Sequence, residues 1–333
     1  MPKVLITGAA GFMGSHVADK CLELGFEVHG IDDLSGGFSE NVPRGIRFSE
    51  MSILDQEAIS RLFSENKFDY VFHLAAYAAE GLSHFIRRFN YSNNLIGSVN
   101  LINASVKHGV KRFIFTSSIA VYGSAQVPMT EETKPAPEDP YGIAKYAVEM
   151  DLESAHNLFG LEYVIFRPHN VYGERQNIAD NFRNVIGIFM RQISQGMPVT
   201  VFGDGLQTRA FTYIDDVSHV IARAAEHKGV CGEVFNIGAD EPRTVLDAAR
   251  LIAQAFGAEL KIEWCQARHE VINAYASHSK IREFFGESKP ISLEEGLAKM
   301  ANWFKRASKR APVKYRGIEL WEKLPGTWRP VVE

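Results

Sequence analysis

Three apolar residues in succession, Val4-Leu5-Ile6, lead into glycines spread from Gly8 to Gly14. An unbroken rather than alternating apolar run is what a strand covered on both faces shows. A helical pattern follows over residues 15–24, and Gly25 is placed to stop it. Further strands are predicted at 27–31, around Phe48, and at 70–74, 112–116 and 163–166, with helices at 56–64, 93–107 and 141–159. Such strand–helix alternation predicts an α/β chain, a doubly wound parallel sheet with helices on both faces. Beyond Arg167 the pattern loosens. Helices are predicted at 184–195, 244–256 and 293–306, strands at 199–202 and 234–237, and a strand leading into a helix over 213–225. This predicts a second, smaller mixed α/β domain interleaved with the first. The first would hold residues 1–171 plus about 211–237. The second would hold about 172–210 plus 238–320, leaving 321–333 as a tail. The stretch from Ser308 onward reads as a surface extension anchored by Trp321 and Trp328.

Composition narrows the class without naming a function. At about 150 residues per domain, 333 residues fit two domains. The formal charge of −4 argues against a nucleic-acid surface, which is normally basic. Three cysteines, Cys21, Cys231 and Cys265, cannot pair completely and show no CxxC spacing. A disulfide scaffold and a cysteine zinc site are therefore not expected, and a reducing cytoplasm is. No run approaches the roughly 18 apolar residues of a membrane helix. The short apolar start also lacks the form of a signal peptide. No metal, nucleic-acid or membrane partner is expected.

The chemistry starts at Thr7-Gly8-Ala9-Ala10-Gly11-Phe12-Met13-Gly14, directly between a strand and a helix. Glycines there let backbone N–H groups approach a pyrophosphate at a helix N-terminus, the Rossmann-type device for a dinucleotide. The spacing is GxxGxxG, and a plain structural turn is the alternative. Asp32 ends the second strand, where a carboxylate accepts from a ribose 2′-OH and repels a 2′-phosphate. The expected cofactor is NAD. Tyr141 and Lys145 stand four apart on a predicted helix, hence on one face. Free tyrosine titrates near pH 10, and a nearby cation favours its phenolate. Thr116-Ser117-Ser118 closes the fifth strand at the carboxyl edge, where ligands bind in such sheets. Its hydroxyls either orient substrate or cap the next turn.

These motifs occur in order with His73-Leu74-Ala75-Ala76, Ser117-Ser118-x-x-Val121-Tyr122-Gly123, Arg167-Pro168-x-Asn170-x-x-Gly173, Gly203-Asp204-Gly205-x-Gln207-x-Arg209 and Phe235-Asn236-Ile237-Gly238. Together they resemble the extended short-chain dehydrogenase/reductase family, specifically its nucleotide-sugar epimerase branch. The resemblance implies a catalytic set of Ser118, Tyr141 and Lys145. It implies NAD contacts at Gly8, Gly11, Phe12, Met13, Gly14, Asp32, Leu74, Ala75, Ala76 and Asn94, besides Tyr141 and Lys145. It implies nucleotide-sugar contacts at Ser118, Asn170, Arg209 and Arg268, with Thr200 and Phe202 matching uracil-region positions. A guanidinium suits a diphosphate, although either arginine also fits an ordinary surface ion pair. The stretch from Tyr77 to Ser83, with Glu80 and Ser83 in it, falls where the sugar pocket is expected. Glu80 reads equally as a partner for sugar hydroxyls, disfavouring a carboxylated sugar, or as a solvent-facing charge. A homodimer through the helices 93–107 and 141–159 is also implied.

Several positions depart from the family pattern: Ser52 stands where an adenine-contacting Asp is common, Ala78 where epimerases often carry a Lys, and Ala210 where an Asp follows the arginine. The residues after Ser118 discriminate between reactions. Related dehydratases and decarboxylases carry acids there, and 3,5-epimerases a Cys; here Ile119-Ala120 can transfer no proton. The expectation is a 4-epimerase acting on a UDP-hexose through a 4-keto sugar. A 4-reductase or dehydrogenase and a non-catalytic NAD-binding protein remain the alternatives.

Overall fold

The computed structural model describes residues 1–267, 271–287, 289–307 and 315–332. Six strands alternate with helices along the first half of the chain. They are β1 (Lys3–Thr7), β2 (Glu27–Asp32), β3 (Arg47–Glu50), β4 (Tyr70–His73), β5 (Arg112–Thr116) and β6 (Glu162–Pro168). With the strand Glu233–Ile237 they form one seven-stranded sheet. Its order is β3–β2–β1–β4–β5–β6 and then Glu233–Ile237, every pair parallel. The order reverses direction between β1 and β4, which opens a crevice at the carboxyl ends of those strands. Glu233–Ile237 pairs with β6 in register, Phe235 against Phe166. The chain thus returns to the first sheet after leaving it.

The helices are α1 (Phe12–Glu23), α2 (Gln56–Glu65), the short α3 (Glu80–Ser83) and α4 (Arg87–Tyr91), α5 (Gly97–Lys107) and α6 (Pro140–Phe159). The expected helix over 93–107 is broken by a π-helical turn at Ser92–Ile96, a device that recurs at functional sites. One sheet face packs Val4, Ile6 and Phe166 against Val17 and Cys21 of α1 and against Val217 and Ile221 of the helix Ile214–Arg223. The other packs Leu5, Val71 and Phe113 against Phe63 of α2, Leu101 of α5 and Leu152 of α6. Both faces are covered, which is why the strands read as unbroken apolar runs.

α6 starts where it does because Asp139 accepts from Gly142 N at 3.0 Å and Pro140 occupies the first turn. It ends at Gly160 in the left-handed conformation. Helices Val185–Ser194, Val245–Phe256 and Leu293–Arg306 pack together beside three small sheets. Pattern reading missed several short strands there, such as Thr208–Ala210 and Asn273–Ala274, which are too short to show a period. The tail departs from expectation. Trp328 is buried, but Trp321 is 42% exposed and anchors nothing in the core. No helix among the described residues is long and apolar enough to cross a membrane.

Candidate active site

A cleft of about 320 Å³ opens at the carboxyl ends of β1 and β4 and runs from Asp32 to Tyr141. Its floor is the glycine turn. A Cβ on Gly14 would collide with the Gly8 carbonyl, and one on Gly8 would lie 2.9 Å from Ala75 N. Only glycines let the turn fold this tightly against the loop after β4. Gly11 then caps α1 with no side-chain hydrogen bond, so the free N–H groups of the first turn suit an anion. Asp32 accepts from Ala10 N at 3.1 Å and Leu34 N at 2.8 Å. Burial raises its pKa, and those backbone bonds oppose the rise.

The loop after β4 is fixed by Thr7, whose Oγ1 accepts from Leu74 N and Ala75 N at 3.2 and 3.1 Å. The Thr7 hydroxyl lies 2.7 Å from His73 Nδ1 and Ser98 Oγ 2.8 Å from Nε2. Ser98 donates to Asn94 O, so His73 carries its proton on Nε2 and accepts from Thr7. Burial and the Lys145 charge hold His73 down to about 3, a neutral spacer at the switch point.

At the other end stand Ser118, Tyr141 and Lys145, all buried and all lining the cleft. Tyr141 is the second residue of α6, and Lys145 lies one turn on, on the same face. Lys145 donates to Thr116 O at 2.7 Å and lies 4.7 Å from the Phe115 ring centroid and 5.9 Å from that of Tyr141. Burial pulls Lys145 down to about 7, with Glu149 opposing. Burial pushes the Tyr141 phenol up; the Glu80 charge adds to the rise, and a hydrogen bond with Ser118 opposes it. Burial therefore drives both groups toward neutrality. Ser118 Oγ accepts from Ala120 N at 3.1 Å, so the hydroxyl is both a cap and a cleft group.

Behind this set lies a buried polar network that sequence reading missed. Glu149, one turn after Lys145, accepts from Ser117 Oγ at 2.5 Å and pairs with Arg167 at 2.5 Å. Arg167 also donates to Tyr122 OH at 2.8 Å, which donates to Asn236 Oδ1 at 2.8 Å. The pair ties α6 to β6 and, through Tyr122, to the turn that follows Ser118. The only sequence sign of it was a Glu four residues after Lys145.

The other expected residues divide. Gly8, Gly11, Phe12, Met13, Gly14, Asp32, Leu74, Ala75, Ala76, Glu80 and Asn170 all line the cleft. Asn94 lies behind the wall, bonding Tyr77 N and O, while Asn93 faces the cavity. Ser83 bonds Glu80 O at 2.6 Å and lies away from the cavity lining. Thr200 is paired with Gln192, and Phe202 ends a strand beside Ile262–Cys265; neither lines the cleft. Arg209 donates to the carbonyls of Thr208, Val271 and Ile272 and stands outside the lining. Arg268 lies outside the described residues. The cleft also holds Tyr77, the first residue of the stretch expected at the sugar pocket, and adds Gln176, Asn177, Arg183 and Asn184, which no motif had marked.

Residues 4–238 match the NAD dependent epimerase/dehydratase family. The chain belongs to this family. The UDP-glucose 4-epimerase of Mycolicibacterium smegmatis is 33% identical over 314 residues, which cover 92% of this chain and 99% of the relative. Among solved structures, the Thermotoga maritima UDP-glucose 4-epimerase with UDP-glucose superposes with a TM-score of 0.87 at 39% identity, covering 91% of this chain and 99% of that one. The Thermus thermophilus UDP-glucose 4-epimerase complexed with NAD gives 0.86 at 30% identity, covering 92% and 100%. The cofactor of this epimerase/dehydratase chain is NAD, and the cleft fits it. The glycine turn is too tight for side chains, and the helix N-terminus is free for a diphosphate. Asp32 closes the ribose end with a carboxylate.

Proposed function

We propose that the protein is a UDP-hexose 4-epimerase. One observation carries the reading: Ser118, Tyr141 and Lys145 line the cleft together, and the turn that Ser118 opens continues with apolar Ile119 and Ala120. The family also includes dehydratases, whose chemistry needs a further acid or base to eliminate water. The turn after Ser118 offers none. The similarity to UDP-glucose 4-epimerases supports the choice of substrate class.

When bound, NAD would supply reversible hydride chemistry at C4. The protein does the rest. Gly8, Gly11 and Gly14 with the first turn of α1 hold the cofactor diphosphate, and Asp32 holds the adenosine ribose. Tyr141 exchanges a proton with the O4 of the sugar, relayed or oriented by Ser118. The Lys145 ammonium lowers the cost of the phenolate. Asn170, Asn177, Arg183 and Asn184 hold the polar end of the nucleotide sugar while the 4-keto sugar turns over. Glu80, near enough to raise the Tyr141 pKa, disfavours a sugar bearing its own carboxylate.

The test is incubation of the purified protein with UDP-galactose or UDP-glucose without added NAD, followed by proton NMR. Each sugar should convert to a mixture of the two. Consumption of added cofactor in step with sugar, without inversion at C4, would instead establish a reductase or dehydrogenase.

A further inference from the structure

Residues 315–332, in the carboxyl-terminal tail, lie across two segments that form walls of the cleft. One wall is the stretch 77–89 after β4; the other is 182–184, leading into Val185–Ser194. No strand pairing joins these walls among the described residues.

The tail joins them. The Tyr315 ring packs on Tyr77 at 5.7 Å, Phe89 at 6.1 Å and Phe182 at 6.4 Å between centroids. Trp328 packs edge-on against Phe182 at 5.2 Å and Phe85 at 6.2 Å, and leaves only 3.2 Å to a Cβ placed on Gly81. The Glu319 carboxylate accepts from Arg88 N and Phe89 N, both at 2.8 Å. Tyr77 and Arg183 line the cleft, and the Arg183 guanidinium lies 4.5 Å from the Tyr77 ring centroid. Arg183 also reaches Gly36, on the loop after β2, where an added Cβ would meet it at 2.7 Å.

We propose that residues 315–332 are a positioning segment for the sugar end of the cleft. They clamp the two walls together and so hold Tyr77 and Arg183 against a bound nucleotide sugar. This rests on the nucleotide-sugar reading of the cleft. The tail itself lines nothing among the described residues and acts only through the side chains it presses on. A small shift of such a wall suffices, since misplacing a reacting group by about 1 Å from a remote site can cost about 10²-fold.

The test uses the full chain carrying Tyr315→Ala, Trp328→Ala or Tyr315→Phe. Steady-state kinetics with UDP-galactose, NAD content and hydrogen exchange of segments 77–89 and 182–184 are compared with the wild type. Both alanine variants should lose kcat/KM by up to about 10²-fold, chiefly through KM, with NAD content unchanged. Exchange should rise in both segments. Tyr315→Phe keeps the ring and should match the wild type. Should Trp328→Ala not fold, Tyr315→Ala alone decides, because its ring is only partly buried. Unchanged KM and unchanged exchange in the alanine variants would overturn the proposal. Lost NAD with unaltered KM would do so too. A wild type inert on UDP-sugars defeats the epimerase reading instead; exchange with UDP as the bound probe then decides the role of the tail.

Discussion

Tyr141 works under two opposing influences. Burial and Glu80 keep its proton on, while a hydrogen bond with Ser118 and the Arg183 charge favour release. In the proposed reaction its hydroxyl exchanges a proton with O4. Tyr141→Phe keeps the ring and its packing and should cost about 10²–10⁴-fold in turnover, the usual size of a positioned acid–base contribution. Folding and NAD content should be unchanged, as checked by thermal melting and cofactor absorbance. Four positions along a helix set phenol and ammonium on one face, and the glycine turn upstream together with the family motifs made that spacing legible as a candidate site. The residues that flank it from outside its own element, Glu80 and Arg183, could not be read that way. Their nearness depends on how two loops meet.

At the scale of elements, α6 is the part most heavily used. It carries Tyr141 and Lys145 toward the cleft and, one turn on, Glu149 toward Arg167 of β6. That pair is 5% and 5% exposed by side chain, so neither charge has water to fall back on. Glu149→Gln leaves the Arg167 charge buried without its counter-ion and should destabilise the fold by about 3–5 kcal/mol. Urea denaturation measures this. Replacing both residues by Met should recover much of the loss, since a buried pair exchanged for apolar groups is often close to neutral. The long elements were read from sequence to within a few residues. The helix Leu293–Arg306 and β5 fall where periodicity put them, and Asn184 and Thr244, expected as first helical residues, turn out to cap those helices. The two-residue strands and the π-helical turn at Ser92–Ile96 were not legible. Pairing partners and a single inserted residue set them, and neither leaves a period in the sequence.

Across the whole molecule, burial of neutral histidines links stability to pH. Desolvation is the largest cause at each of three sites: it lowers His29 to about 4, His73 to about 3 and His169 to about 3. At His169 the charge of His278, whose Nε2 lies 2.8 Å from its own, adds to the lowering. In the unfolded chain these groups titrate near 6.5. Below that pH the unfolded chain takes up protons that the fold refuses, so stability falls as pH drops from about 6.5 toward 4. Asp216, raised to about 6 by burial, acts in the opposite sense, as do Asp32, Asp139 and Asp151, while His16, also lowered by burial, adds to the three histidines that shift furthest. The urea midpoint should therefore decrease steadily over that range. His73→Gln should flatten the decrease, and an unchanged slope in that variant would remove His73 from the account.

The sequence by itself determined the alternation of strands and helices and the glycine turn, and it placed Asp32 at a strand end and Tyr141 and Lys145 on one helix face. These are local: each rests on a period, a cap or a fixed spacing along one element. Tertiary structure decided what lies between elements. It put the Glu149–Arg167 pair behind Lys145 and turned Asn93 rather than Asn94 to the cleft. It left Arg209 bonded to carbonyls and seated Trp328 but not Trp321. It also brought Tyr77 and Arg183 together under the tail. Those outcomes depend on packing between residues up to some 250 positions apart, Tyr77 and Trp328 among them, and no pattern within a single element encodes such a meeting.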